Sequence, residues 1–421
     1  MSPSPSARDS QSPSRAMANP IHPDFLDRLD QDFIDFYNST LGRTTPDNSA
    51  PLEEVRKQRA KFHSQKARKY AHTAFVQDIK LEAPDGYPFT VRLYKPDPRT
   101  SPYGAGPYPV HVNFHGGGFT FGDLNSDAKI CMQIRTRVGI MVADVDYRLR
   151  PEHAMGRGHD DCWAAVQYMH NHGAQVNARQ DSISIGGISA GGQIAAVVQQ
   201  LARDAAIPLK FAFLGVPVTA SHSHYKKASD SEFPSFVENE FAPCLNWARI
   251  MFYRENSDMK DAAAALDEEA AALPEFYSSP LSGELHGICP TFIGTASADP
   301  LRDEGEAYGH KLVRAGVKTT IRRYQGVPHP FMHMPLRKAE VYTHDLCDAL
   351  RTAHGVAFVK PSLSVFPRRK MFQASSSSSA RQQQQQLHRP GPPQVGGNKR
   401  KMARSWSWTP GKLALASRLK Q

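Results

Sequence analysis

Short apolar runs alternate with amphipathic stretches along most of the chain. The runs are the length of buried strands in a parallel sheet, and helical patterns such as 160–170 and 193–203 separate them. This alternation predicts an α/β fold built on a mostly parallel, doubly wound sheet of about eight strands. The predicted strands are 73–81, 89–94, 110–114, 140–145, 183–185, 211–214, 291–293 and 318–324.

Changes in composition divide the chain into several regions. An amphipathic stretch precedes the first strand, and a polar, aromatic segment interrupts the strand–helix rhythm late in the chain. We expect that segment to lie over the carboxyl edge of the sheet, where open α/β sheets bind ligands. The predicted regions are a disordered N terminus (1–20), N-terminal cap helices (21–70), a core in two parts (71–217 and 281–360), a cap insertion (218–280) and a basic, low-complexity disordered tail (361–421).

The net charge of +10 belongs to the tail. Residues 361–421 contain twelve Lys and Arg and no acid, which leaves 39 basic and 41 acidic residues in the rest of the chain. Because only the tail is basic, we predict no nucleic-acid partner for the body of the protein. Trp406 and Trp408 lie among basic residues, a pattern that can indicate contact with nucleic acid or a membrane surface, but a solvated disordered extension is the favoured interpretation of this composition.

Cysteine usage and hydropathy predict a cytoplasmic protein. The five cysteines are far apart and form no CxxC pair, so neither a disulfide framework nor a zinc site is expected. No apolar run reaches the roughly 18 residues of a membrane span. The first twenty residues also lack the apolar core of a secretory signal.

A candidate nucleophile lies at Ser189. The sequence Gly187-Ile188-Ser189-Ala190-Gly191 directly follows a predicted strand and directly precedes a predicted helix. On such a sharp turn a serine exposes its hydroxyl, and the flanking glycines remove side chains that would clash. The helix N terminus behind it favours developing negative charge.

A second motif, His115-Gly116-Gly117-Gly118, closes the strand at 110–114. Three consecutive glycines cost backbone entropy, so a plain turn explains them poorly. A bent backbone that directs N–H groups at one point would form an oxyanion hole, with Gly117, Gly118 and Ala190 as donors. A phosphate-binding loop would require a following Gly-Lys-Ser/Thr, which is absent.

With these motifs the chain resembles the hormone-sensitive-lipase-like carboxylesterases of the α/β-hydrolases. The resemblance spans about 70–355 and rests on HGGGF at 115–119, DYRLRPEH at 146–153, GISAGG at 187–192 and DPLRDEG at 299–305. It implies an α/β-hydrolase fold with a helical cap, ester hydrolysis, and no metal or organic cofactor. It also implies that the 146–153 motif forms a buried polar network near the site.

Two positions depart from the pattern of that family. Ile188 precedes the candidate nucleophile, where the family commonly has an acidic residue. Pro330 follows His329, a candidate base, where a glycine is usual in the family. The first change alters the local charge beside the serine.

The hydrolase chain order predicts an acid and then a histidine downstream of the serine. Asp299 follows a late apolar run and matches the aspartate of the family motif; Asp303 and Glu304 compete, but we expect them to cap and charge-pair the next helix. His329 follows the final predicted strand, and His333 is the alternative base.

These residues predict a serine carboxylesterase that forms an acyl-enzyme and acts on short-acyl or acetyl esters of small molecules. The alternative is a non-catalytic small-molecule receptor on the same fold. Plant gibberellin receptors resemble this family but lack the catalytic histidine, so the presence of His329 favours an enzyme. The sequence leaves the oligomeric state open, with a homodimer as one option.

Overall fold

The fold is described from a computed structural model for residues 18–44, 50–57, 69–257 and 273–356. The predicted disordered tail and all but residues 18–20 of the predicted disordered N terminus lie outside these ranges. Residues 45–49 and 58–68 of the predicted N-terminal cap helices and residues 258–272 of the predicted cap insertion also lie outside them. In the described part of the chain, no helix has the length and apolar character needed to cross a membrane.

Within the described ranges, eight strands form one sheet in the order β1-β2-β4-β3-β5-β6-β7-β8. The pairings of β2 with β1 and with β4 are antiparallel, and the other five are parallel. The predicted mostly parallel, doubly wound sheet is therefore confirmed. The strands are β1 (Val76–Glu82), β2 (Pro88–Tyr94), β3 (Tyr108–Phe114), β4 (Met141–Asp146), β5 (Ala178–Ile188), β6 (Leu209–Gly215), β7 (Thr291–Ala298) and β8 (Thr319–Pro328).

Helices cover both faces of the sheet, because each face buries its own apolar cluster. Ile134 of α2 and Leu346 of α8 belong to the cluster on one face. Met169 of α3, Ile194 of α4 and Leu312 of α7 belong to the cluster on the other. The helices are α1 (Gln31–Ser39), α2 (Ala128–Val138), α3 (Arg157–His172), α4 (Ala190–Asp204), α5 (Ser235–Glu238), α6 (Trp247–Ser257), α7 (Arg302–Arg314) and α8 (Arg337–His354).

The strand ends differ from the predicted ones where polar residues or backbone geometry intervene. β1 begins at Val76 rather than at 73, since Phe75 adopts a left-handed backbone with φ 68°. β5 extends over eleven residues, although only 183–185 is apolar enough to predict it. Its polar Ser182 and Ser184 can be buried because both hydroxyls are hydrogen-bonded, Ser182 to His354 of α8 and Ser184 to His111 of β3.

The N-terminal helix and the insertion pack differently against the core. Phe33 and Tyr37 of α1 join the same apolar cluster as α2 and α8. In the insertion, Phe233 and Phe236 form a separate small cluster that also includes Leu301, just before α7. Each of these segments therefore has its own apolar anchorage on the core.

A chain of buried hydrogen bonds joins the end of α8 to the middle of the sheet. Ser182 Oγ contacts His354 Nδ1 at 2.9 Å, His354 Nε2 contacts Ser184 Oγ at 2.8 Å, and Ser184 Oγ contacts His111 Nδ1 at 2.9 Å. Burial lowers the pKa of His354 to about 4 and that of His111 to about 3. Both imidazoles are thus held neutral near pH 7.

Acid should weaken the fold through this chain. An unfolded histidine has a pKa of about 6.5, so below that pH the unfolded state binds protons that folded His354 does not. Stability present at neutral pH is therefore lost as the pH falls from about 6.5 towards 4. Between pH 7 and pH 5 the free energy of unfolding, measured with urea, should fall by about 2 kcal/mol less in His354→Gln than in the wild type. His310→Gln, an exposed change on α7, should follow the wild-type slope; equal slopes for all three proteins would contradict this account.

Candidate active site

Ser189 lies on the turn between β5 and α4, in a strained backbone conformation. Its φ is 59° and its ψ is −118°, a region that side-chain-bearing residues rarely occupy. Its amide donates to the Gly215 carbonyl at 2.8 Å, which holds the turn against β6. The sequence predicts this strand–turn–helix geometry for a nucleophilic serine.

The glycines around Ser189 allow α4 to pack directly against the end of β3. A Cβ on Gly191 would lie 1.9 Å from the Phe114 carbonyl oxygen, and one on Gly187 would lie 2.4 Å from the Gly191 backbone. Neither position can hold a side chain without moving backbone atoms. The close approach places the start of α4 beside the loop that follows β3.

Three side chains that are distant in the sequence are hydrogen-bonded in series. His329 Nε2 lies 3.0 Å from Ser189 Oγ, and His329 Nδ1 lies 2.8 Å from Asp299 Oδ2. Asp299 is fully buried, and its other oxygen accepts the Leu301 amide at 3.0 Å. Because the carboxylate accepts from Nδ1–H, Nε2 is left to accept the serine proton.

The glycine loop after β3 faces the same cavity as Ser189 and His329. Gly117 and Gly118 have φ values of 132° and 61°, which only glycine adopts readily. Among the described residues, neither amide donates to a protein acceptor. Ala190 is the first residue of α4, so its amide is one of the donors that a helix leaves unpaired. These groups can stabilise an anion that forms beside Ser189.

His115 shapes the glycine loop from beneath. Its buried ring stacks on Tyr147 at a centroid distance of 4.2 Å, and Nδ1 donates to the Gly116 carbonyl at 2.9 Å. The Tyr147 hydroxyl donates to the His115 carbonyl at 2.7 Å. Burial lowers the pKa of His115 to about 4, so the ring is neutral and supports the loop without adding charge to the site.

The two acids that competed with Asp299 anchor the insertion. Asp303 accepts the Ser235 amide at 2.8 Å. Glu304 is fully buried, accepts the Thr219 amide at 2.8 Å and contacts His222 Nε2 at 2.6 Å. Both lie in the first turn of α7, as expected. Neither carboxylate caps α7, however, so that part of the prediction is wrong. Asp303 pairs with Arg302 in the same turn, and both acids also bond to the insertion, which the sequence does not indicate.

The 146–153 motif forms a polar network that is only partly buried. Arg148 contacts buried Asp161 at 2.7 Å and Asp85 at 2.6 Å. Glu152 contacts Arg56 at 2.6 Å but is half-exposed. The expectation of a buried network therefore holds for Arg148 and not for Glu152, which is close enough to the surface to meet Arg56 from the N-terminal region.

Ser189 lines a cavity of about 1860 Å³, larger than the roughly 300–1,000 Å³ of most ligand pockets. Tyr37 from α1 and Phe241 and Tyr253 from the insertion contribute to its walls. Of the insertion aromatics, Phe241 lines the cavity and is 57% exposed, whereas Phe236 packs in the core. No group of three metal-ligating side chains occurs among the described residues.

Comparison with protein families and named relatives gives one consistent result. A family model described as the alpha/beta hydrolase fold matches residues 111–333. An AB hydrolase superfamily protein of Schizosaccharomyces pombe is 30% identical over 349 residues, which are 79% of this chain and 96% of that protein. Carboxylesterase NlhH of Mycobacterium tuberculosis is 35% identical over 233 residues, covering 54% of this chain and 68% of the relative.

A solved structure shows the same architecture. The hyperthermophilic esterase of Pyrobaculum calidifontis superposes with a TM-score of 0.66 and 26% identity. The match covers 77% of this chain and 98% of the esterase. The similarity therefore extends over almost the whole of that protein.

The contact between α4 and β3 should tolerate no side chain at Gly191. Gly191→Ala should lower the free energy of unfolding by at least about 3 kcal/mol, because the new methyl group would overlap the Phe114 carbonyl. Gly305→Ala in α7 is the matched control, since its Cβ would make only ordinary contacts at 3.4 Å or more. Urea unfolding of both variants measures the difference, and equal stabilities would contradict the close approach.

Proposed function

Because the chain belongs to the alpha/beta hydrolase fold family, we propose that Ser189, His329 and Asp299 are its nucleophile, base and orienting acid. Named relatives are a carboxylesterase and an esterase, and this chain is likewise a carboxylic ester hydrolase. The observation that supports the residue roles is the pair of contacts at 3.0 and 2.8 Å through the His329 ring.

Acylation begins when Ser189 Oγ attacks the ester carbonyl. His329 Nε2 takes the hydroxyl proton as the new C–O bond forms, and the carbonyl π electrons move onto oxygen. Asp299 keeps Nδ1 protonated and stabilises the imidazolium that results. Its burial and its bond from the Leu301 amide fix the direction of the carboxylate.

The tetrahedral oxyanion would be held by the amides of Gly117, Gly118 and Ala190. Preorganised donors of this kind are typically worth about 10²–10³ in turnover for each donor. As the oxyanion collapses, His329 gives its proton to the leaving alcohol. A water molecule, deprotonated by the same imidazole, then attacks the acyl-enzyme, and the acid is released as Ser189 recovers its proton.

The N-terminal helices and the 218–280 insertion would act as the cap that selects the substrate. Both contribute walls to the cavity, and Tyr253 of the insertion packs so closely on Gly118 that a Cβ there would lie 2.6 Å from its ring. Contact between a substrate and this wall would therefore also affect the position of the oxyanion loop, which is the segment 115–127 that contains Gly117 and Gly118. We retain short-acyl or acetyl esters as the proposed substrates.

The remaining proposals rest on the sequence and on the family resemblance. We propose a cytoplasmic location, no nucleic-acid partner and no cofactor requirement, with the homodimer left as an option. The basic tail lies outside the described residues, and every proposed catalytic residue precedes it.

Loss of the serine hydroxyl should abolish hydrolysis. Purified wild type should hydrolyse p-nitrophenyl acetate and butyrate, whereas Ser189→Ala should fall to the rate of the buffer, a loss of at least about 10⁴-fold. Ser282→Ala, a serine outside the cavity, should keep wild-type activity. Equal near-background rates for wild type and Ser189→Ala would instead support the non-catalytic receptor.

Acyl preference can be measured with p-nitrophenyl esters of increasing chain length. If short acyl groups are preferred, kcat/KM should be highest for acetate or butyrate and should fall by at least about tenfold for long chains. Active-site titration with a serine-directed organophosphate gives the concentration of competent enzyme for every comparison. A maximum at long chains would contradict the proposed substrate class and leave the hydrolase assignment intact.

A further inference from the structure

A second imidazole–carboxylate pair lies on the wall of the same cavity. His333 Nε2 contacts Asp127 Oδ1 at 2.7 Å, and both residues line the cavity together with Ser189 and His329. The Asp127 side chain is fully buried, whereas that of His333 is 26% exposed. His333 was the alternative base in the sequence, but its carboxylate partner is Asp127 and not Asp299.

Asp127 is fixed to the sheet through a buried amide. Asn113 Nδ2 donates to Asp127 Oδ2 at 3.3 Å and to Asp144 Oδ1 at 2.8 Å. Asn113 is on β3 and Asp144 is on β4, and all three side chains are buried. The Asp127 carbonyl also accepts the Cys131 amide at the start of α2. His333 is therefore hydrogen-bonded to a residue whose side chain and backbone both make further hydrogen bonds.

This pair joins the two segments on which catalysis would depend. His333 ends the short 3-10 helix Phe331–His333, which begins two residues after His329. Asp127 ends the loop that starts beyond β3 and contains Gly117 and Gly118. The contact between His333 and Asp127 thus connects the base segment (His329–His333) to the oxyanion loop at the residue where that loop meets α2.

We propose that Asp127 and His333 are positioning residues that hold His329 in register with Ser189 and the oxyanion loop. This inference rests on the proposed hydrolase function and adds a second, non-reacting histidine–carboxylate pair to it. Both His329 nitrogens are already engaged, one with Asp299 and the other with Ser189. His333 and Asp127 therefore act on the segment that carries His329 and not directly on its ring.

The charge balance makes His333 important to this arrangement. Burial raises the pKa of Asp127 to about 7 and raises that of Asp144 well above its usual range. Two neighbouring buried carboxyls are costly to ionise together, and a hydrogen bond donated by His333 Nε2 would offset part of this cost for Asp127. Without a donor at position 333, Asp127 loses its bond to the base segment.

Apolar packing also holds this segment, since Phe331 and Met332 are buried. Packing is not directional, whereas the hydrogen bond to Asp127 adds a directional restraint on the segment that carries His329. Packing and hydrogen bonding predict different effects of a polar substitution at position 333. If packing alone positions His329, the activity should not depend on where the new side chain places its hydrogen-bond donor.

Two amide substitutions separate a positioning role from packing. The new side-chain amide of His333→Gln reaches the place of Nε2 and can still donate to Asp127, whereas the shorter amide of His333→Asn cannot. His333→Asn should lower kcat for p-nitrophenyl acetate about tenfold, with KM within about twofold, because small displacements of a base are costly. Inactivation by a serine-directed organophosphate should slow by a similar factor. His333→Gln should recover most of both rates.

A second histidine–aspartate pair, on the outer side of α8 and with an exposed histidine, provides the matched control. His344 Nδ1 lies 3.2 Å from Asp348, and neither residue lines the cavity. His344→Asn should leave kcat, KM and the inactivation rate unchanged. Thermal unfolding shows whether each variant is folded, and Asp127→Ala, which removes the hydrogen-bond partner of His333, is the second route to the same loss if His333→Asn does not fold.

The results separate this inference from the proposed function. An active wild type with equal rates for His333→Asn and His333→Gln would overturn the positioning role and leave the hydrolase assignment standing. A change confined to KM would also overturn it, since that result indicates substrate contact instead. An inactive wild type that does not react with the organophosphate would contradict the proposed function itself.

Discussion

Every chemical step proposed for this chain depends on the 3.0 Å contact between His329 Nε2 and Ser189 Oγ. The two residues are 140 positions apart, so only the fold can bring them together. β5 and β8 are parallel strands of one sheet, and the turns that follow them lie at the same edge. Asp299 follows β7, which lies between β6 and β8, and completes the series. The strained Ser189 backbone is maintained because α4 begins against β3, where Gly191 leaves room for the Phe114 carbonyl.

The insertion and the catalytic segments form one connected unit. Asp303 and Glu304, in the first turn of α7, bind backbone amides of the insertion, and Asn239 of the insertion donates to the Asp299 carbonyl at 3.1 Å. The segment that carries Asp299, the proposed orienting acid, is therefore also bonded to the wall of the cavity. A rearrangement of that wall would be transmitted to Asp299 through these bonds, which would couple substrate selection to the alignment of the proposed base.

Much of this could be predicted from the sequence, because the decisive signals are local. Apolar runs located all eight strands, and the turn motif selected Ser189 without knowledge of its partners. Contacts between distant residues could not be predicted: nothing near Glu304 indicates His222, and nothing near His333 indicates Asp127. The Ile188 departure is also explained only in three dimensions. Its side chain is buried in the apolar cluster beneath the turn, so an acidic residue there is not needed for the turn to form.

The most direct test of the central claim is the detection of the acyl-enzyme. The wild type is mixed with p-nitrophenyl butyrate, quenched in acid within the first turnovers and analysed by intact-protein and peptide mass spectrometry. The account predicts a single butyryl group per chain, located on the peptide that contains Ser189, and no adduct on the Ser189→Ala variant. A butyryl group on another residue, or rapid turnover with no covalent adduct under conditions in which deacylation is rate-limiting, would contradict the account.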